Sequence, residues 1–185
     1  MVHVIHLVWH NASGKTTVAK ILTKEFPKLN HLRWDDVREF LIDKVSFFHW
    51  VQLSHPSPKM REINKLMRTF RDNVFQVLLK HKQSIILDGS GFYKENRQDR
   101  REKFLKWDKN IIYTIIYCKI SEYELLPRLK TREKNEQGTK RIEHYKNKRK
   151  AKHQEPTPDE ADNFIIYTQD NIEEVCRQVS NIIET

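Results

Sequence analysis

Gly14-Lys15-Thr16, set directly behind the apolar run Val2–Trp9, is the stretch of this sequence with the most chemistry in it. In a loop of this kind, backbone N–H groups and the N-terminus of the following helix surround the phosphates of a nucleotide. The lysine reaches the β- and γ-phosphates, and the hydroxyl holds Mg2+. On that reading Asn11, Ala12, Ser13, Gly14, Lys15, Thr16 and Thr17 are the candidate phosphate-binding residues, and ATP or another nucleoside triphosphate with Mg2+ is their ligand. The full pattern is G-x-x-x-x-G-K-[ST], and Trp9 stands at its first glycine position. A tryptophan there must leave the strand by a sharp turn while carrying a bulky Cβ substituent, so an altered loop conformation is expected. A chance Gly-Lys-Thr at a helix start is the plainer alternative. The strand pattern before it and the helix pattern after it speak against that.

Phosphoryl transfer asks a protein mainly for positioning and charge neutralisation, with a carboxylate at the attacking hydroxyl. Asp35 follows a short run at Asn30–Arg33, where an α/β sheet places its ligand crevice. Its alternative is a helix N-cap, and Asp36 could take either job. Arg38 lies one turn further on the same face and could instead pair with Asp35. Asp88 ends the apolar run Ser84–Asp88 and is otherwise a turn residue before Gly89. Arg128 and Arg132, at i and i+4, project the same way, toward a triphosphate or toward water. Phe47, Phe48, His49 and Trp50 could stack bases of a single strand or pack under a loop. The nine histidines form no H-E-x-x-H, so a metal cluster is not expected. No Gly-x-Ser-x-Gly elbow points to a covalent hydrolase.

These residues need a frame to hold them. The β-branched run Val2–Trp9 and the apolar runs Ser84–Asp88, Ile111–Lys119 and Asn163–Thr168 read as strands, and Asn30–Arg33 could be a further short one. Amphipathic stretches between them read as helices, including a long one near Met60–His81. Alternating strands and helices mean a parallel sheet with right-handed crossovers and helices on both faces. The expectation is an α/β P-loop fold with about five strands and a helical lid, built as one domain over residues 1–185 with the lid near 121–153.

Arg33-Trp34-Asp35-Asp36-Val37-Arg38 resembles the R-D-D-x-x-R region of polynucleotide 5′-hydroxyl kinases. Ile86–Phe92, followed by Arg97, Arg100 and Arg101, is similar to their D-x-T-x…R segment, and His153–Glu160 to their E-P-P-T-x-x-E stretch. Zeta-toxin-like and small-metabolite kinases share much of this layout. The resemblance implies that Lys15 and Thr16 serve the phosphates and Mg2+, and that Asp88 orders Mg2+ through water. It implies Asp35 as general base, and Arg38 as holder of the phosphate beside the attacking hydroxyl. It implies Arg128 and Arg132 as lid arginines clamping the transferring group.

Charge agrees with an anionic partner. The 185 residues carry 34 Lys and Arg against 25 Asp and Glu, a formal +9. Residues 119–153 hold 12 basic against 5 acidic side chains, and residues 154–185 reverse the sign with 1 against 8. Single-stranded nucleic acid with a 5′-hydroxyl end is the expected partner. No run is long and apolar enough to span a bilayer, and no secretory leader is recognisable. Cys118 and Cys176 stand far apart in no motif, as for reduced thiols. A cytoplasmic enzyme is therefore expected, acting on a polynucleotide or, alternatively, on a small acceptor such as a nucleoside, sugar or antibiotic. A nucleotide-binding module with little catalysis is the third reading.

Overall fold

The computed structural model describes residues 1–33, 36–37, 40, 44, 58–89, 91–135, 141–145, 153–168, 173–174, 176–177 and 180–181; at 58–63, 132–135, 141, 144 and 163–168 only the backbone is described. Five parallel strands form one sheet in the order β2-β3-β1-β4-β5. They are β1 (Val2–Val8), β2 (Leu29–Arg33), β3 (Ser84–Asp88), β4 (Ile111–Lys119) and β5 (Asn163–Thr168). β1 is central: all seven of its residues are buried, and five of them are Val, Ile or Leu. Its register aligns Leu7 with Asp88 of β3 and with Ile116 of β4. The sheet, its parallel pairing and the flanking helices match the expected architecture.

Side chains alternate along β1 and split the core in two. Ile5 and Leu7 face α1 (Lys15–Glu25), packing against Val18, Ala19 and Leu22. Those three share one helical face by i, i+3/i+4 spacing. Val4 and Val8 face the other way, toward α2 (Pro58–Lys80) and α3 (Lys94–Trp107), where Phe75, Leu79 and Phe104 close the core. A third, smaller cluster joins the loop after β1 to α4 (Glu122–Asn135) and α5 (Arg141–His144). It contains Ala12, Ile120, Leu125, Leu129 and Tyr145. Trp9 packs against all three clusters. The residue that breaks the glycine pattern thus sits at the junction of the whole core.

The inner face of α3 is largely polar, so ions as well as packing hold it in place. Arg97, fully buried, donates from Nε and Nη2 to the Glu160 carboxylate at 2.5 and 2.9 Å. Its Nη1 donates to the carbonyls of Gly91 and Gln154 at 2.6 and 2.9 Å. Glu160 also accepts from the Thr157 N–H at 2.8 Å, closing a capping box on the short helical turn Pro158–Glu160. Arg101 pairs with Asp162 and Lys94 with Asp159. The acidic stretch after residue 153 is therefore clipped to α3. Cys118 and Cys176 are free thiols, and burial pushes Cys118 up to about 12, which leaves it unreactive. Among the described residues no helix is long and apolar enough to cross a membrane.

Candidate active site

The site is built at the carboxyl ends of β1 and β3, where an open α/β sheet binds its ligands. Gly14 takes φ +94°, a conformation that glycine adopts without penalty, and opens α1. Its carbonyl accepts from the N–H groups of Thr17 and Val18 at 2.9 and 3.0 Å. The first-turn amides of α1 therefore stand at the loop, as an anion site requires. Trp9 and Ala12 also have positive φ, at 136° and 67°. The altered conformation expected at Trp9 is found as backbone strain of a kind that usually marks functional loops.

Aromatic packing holds that strain. The Trp9 ring meets Tyr117 edge-on at 4.7 Å, His153 at 4.0 Å and His10 at 4.4 Å between centroids. His10 in turn lies 4.8 Å from Tyr145 and 5.1 Å from Phe92. Edge-on and tilted contacts of this type add to plain area burial. Burial, followed by the charge of Arg97, pushes the His153 imidazole down to about 4, so it packs as a neutral ring.

Lys15 is buried, and its Nζ donates to the carbonyls of Trp9 and His10 at 3.1 and 2.6 Å. The ammonium is thereby held in the curve of the loop. Thr16 Oγ1 donates to Asp88 Oδ2 at 2.9 Å, joining the start of α1 to the end of β3. His31 of β2 brings Nε2 to 3.6 Å from the same carboxylate oxygen. Burial pushes the Asp88 carboxyl upward. His31, Lys15 and the Thr16 hydroxyl outweigh that and hold it below the usual carboxylate range. A hydroxyl and an ionised carboxylate side by side are hard oxygen donors, the kind Mg2+ takes when water fills its other positions.

Of the residues singled out from the sequence, the structure brings Lys15, Thr16 and Asp88 together beside Asn11–Gly14. Arg128 is half-buried on α4, the helix that docks on Ala12 through Leu125 and Leu129. Arg132 lies one turn along the same helix, backbone only. Asp35 and Arg38 lie outside the described residues, as does the aromatic run Phe47–Trp50. Arg33 and Asp36 form an ion pair at 3.2 Å. Sequence reasoning missed His31, the Trp9–His153 packing and the Arg97–Glu160 clip. The only signal for the clip was that its two ends fall within the quoted kinase-like segments.

The sequence profile of the AAA domain family matches residues 4–156, most of the chain. The chain belongs to that family. Its fold is also that of solved P-loop kinases. A candidate kinase from Chloroflexus aurantiacus superposes with a TM-score of 0.73 at 18% identity, over 99% of this chain and 96% of that one. The APS kinase of Mycobacterium tuberculosis, in complex with AMPPNP and APS, gives 0.66 at 17% identity, over 100% and 98%. A chain of the Pnkp1/Rnl/Hen1 RNA repair complex gives 0.60 at 19% identity, over 78% of this chain and 42% of that one. No curated protein sequence matches the chain.

Proposed function

We propose that this AAA domain protein is a kinase that transfers the γ-phosphoryl group of ATP, or another nucleoside triphosphate, to the 5′-hydroxyl end of RNA or DNA. The observation that carries phosphoryl transfer is the joined pair Thr16–Asp88 beside the loop-held Lys15. Lys15 would neutralise the β- and γ-phosphates, and the amides that open α1 would hold the remaining phosphate oxygens. Thr16 and Asp88 would hold Mg2+, Asp88 through water; when bound, the ion neutralises charge on the phosphates. Asp35 would take the proton of the attacking hydroxyl as the new O–P bond forms and the bond to the leaving diphosphate breaks. Arg38 would hold the acceptor phosphate next to that hydroxyl, and Arg128 and Arg132 would steady the group in flight.

The basic balance of residues 119–153 supports a polynucleotide acceptor. A small acceptor is the second reading. It is favoured by the superposition that spans nearly all of the APS kinase chain but less than half of the RNA repair chain. The test is label transfer from ATP with Mg2+ to a panel of 5′-hydroxyl oligonucleotides beside small alcohols. Label on oligonucleotides, with an affinity that falls steeply with salt, upholds the first reading. Label on small alcohols alone selects the second. Lys15→Ala is expected to lower transfer by a factor of about 10² or more, with the fold intact; a loss within about threefold would remove the phosphate-loop assignment. Asp35→Asn is expected to lower turnover by about 10² to 10⁴ with ATP affinity kept, and Asp36→Asn run beside it checks which acid is the base.

A further inference from the structure

Arg97, Arg100 and Phe104 lie at i, i+3 and i+7 on the inner face of α3. Phe104 closes the core, and Arg97 is neutralised by Glu160. Among the described residues Arg100 has no such counterion. Its Nη1 donates to His6 Nε2 at 2.9 Å, and His6 Nδ1 faces the Tyr113 hydroxyl at 2.8 Å. His6 is fully buried, and burial together with the charges of Arg100, Arg97 and Arg71 holds its pKa well below the ordinary histidine range. It is therefore a neutral acceptor, which satisfies one N–H of the guanidinium and none of its charge. Among the described residues no carboxylate lies within ion-pair distance of Arg100. Among the described residues its Nε and Nη2 make no hydrogen bond.

The surroundings add to the positive charge. Arg71 occupies the inner stripe of α2 between the buried Met67 and Phe75, and both Arg71 and Arg68 act electrostatically on Arg100. Asp72, whose charge partly offsets theirs at Arg100, is already bound by Arg71 at 3.1 Å and by Lys103 at 2.5 Å. The place of the guanidinium is fixed by the turn after β3. A Cβ at Gly89 would fall 2.6 Å from Arg100 Nη1, so the charge is packed against the backbone one residue past Asp88. Thr16 and the phosphate loop lie on the α1 side of β3, and Arg100 lies on the α2–α3 side. A guanidinium with spare donors among the described residues, set beside further arginines at the end of the sheet, fits an anion from outside the protein.

We propose that Arg100, with Arg71 and Arg68 of α2 beside it, forms a phosphate subsite on the acceptor side of the crevice, taking a second acceptor phosphate beyond the one assigned to Arg38. The proposal rests on the kinase reading for the identity of the ligand. The subsite itself can be tested without transfer. The full chain is first saturated with a non-hydrolysable ATP analogue and Mg2+, so that the phosphate loop is filled. Inorganic phosphate should then raise the thermal midpoint of the wild type, and Arg100→Gln should lose that response while keeping its affinity for the ATP analogue. Arg100→Lys, which keeps the charge, should retain part of the response, a rescue that a merely structural role would not produce. A full phosphate response in Arg100→Gln would overturn the proposal.

The source of the phosphate is read with two 5′-hydroxyl dinucleotides, one ending in a 3′-hydroxyl and one in a 3′-phosphate. The extra phosphate should tighten binding by about tenfold in the wild type and by much less in Arg100→Gln. Equal gains in both proteins would also overturn it. If inorganic phosphate binds through Arg100 while neither dinucleotide binds, the subsite stands and the polynucleotide acceptor falls, leaving a small phosphate-bearing acceptor.

Discussion

Two turns carry this site, one leaving β1 and one leaving β3, and they use glycine for different reasons. In the turn after β1, Gly14 has φ +94° and open space where a Cβ would stand. Glycine serves there for its dihedral alone. In the turn after β3, Gly91 has φ +50° and a Cβ would lie 2.5 Å from Val8 Cγ1. Glycine serves there for dihedral and for space. The difference explains how the first turn tolerates Trp9 and Ala12 at positive φ. Dihedral strain is a bounded cost of about 1–3 kcal/mol, and packing elsewhere can offset it. A collision with a buried strand has no such remedy. The glycine pattern of a phosphate loop is thus one solution to a conformational demand, and a core that grips the loop from three sides is another.

The largest expected effect comes from Gly91→Ala. It adds both a left-handed alanine and a clash with the central strand, for a loss of about 2–4 kcal/mol. Gly14→Ala should cost only about 1 kcal/mol, since it adds strain without collision. Chemical denaturation of both variants checks this. Equal losses at the two positions would mean that space does not separate the turns.

Next comes Trp9→Gly, which restores the usual glycine. If dihedral strain dominated, the variant would be more stable than the wild type. The ring contacts with Tyr117, His153 and His10 argue the reverse. Removing a large aromatic side chain from a core costs about 3–5 kcal/mol, and relief of strain returns about 1–3 kcal/mol. A net loss of about 2 kcal/mol is expected. A gain in stability would show that the tryptophan is merely tolerated.

The fold was legible in the sequence because its signals are local. The runs at Ser84–Asp88, Ile111–Lys119 and Asn163–Thr168 are strands as read, and Val2–Trp9 loses only its last residue. That Lys15, Thr16 and Asp88 come together was legible for the same reason: Lys15 and Thr16 share a contiguous motif, and Asp88 ends an apolar strand. The rest of the site depends on pairings that span the chain. Arg97 meets Glu160 across 63 positions and His6 meets Arg100 across 94. Only the strand order, with β3 beside β1, makes such partners adjacent. His31 was read simply as part of a strand, and its approach to Asp88 follows from β2 lying beside β3.

The aromatic grip also carries a pH signature. His153 titrates near 4 in the folded chain and near its ordinary 6.5 when unfolded. Between those values the unfolded state binds more protons, so stability rises with pH. The contribution is complete above pH 6.5 and is lost as pH falls through about 4. His6, lowered in the same direction, adds to this acid limb. His153→Phe keeps a ring against Trp9 and removes the titration. It should flatten the limb by about 1–2 kcal/mol, partial solvent contact screening the rest. An unchanged pH profile of unfolding would take His153 out of the account.

Ala12→Gly should have the smallest effect, and it separates dihedral strain from everything else. Ala12 sits at φ 67°, the left-handed region, where alanine is disfavoured by about 1–2 kcal/mol. Glycine would relieve that. Two terms oppose the gain. Glycine makes the unfolded chain freer by about 0.4–1 kcal/mol, and the lost methyl is one of the apolar groups on which Leu125 and Leu129 of α4 rest. A buried methyl is worth about 0.8 kcal/mol. The terms nearly cancel, and global stability should change by less than about 1 kcal/mol. The location of the change should be uneven, because the strain belongs to the loop and the methyl belongs to its contact with α4. Amide exchange should therefore quicken along α4 while β1 and α1 keep their protection. Uniform protection throughout, with a gain above about 1 kcal/mol, would mean that Ala12 strains the loop without gripping the helix above it.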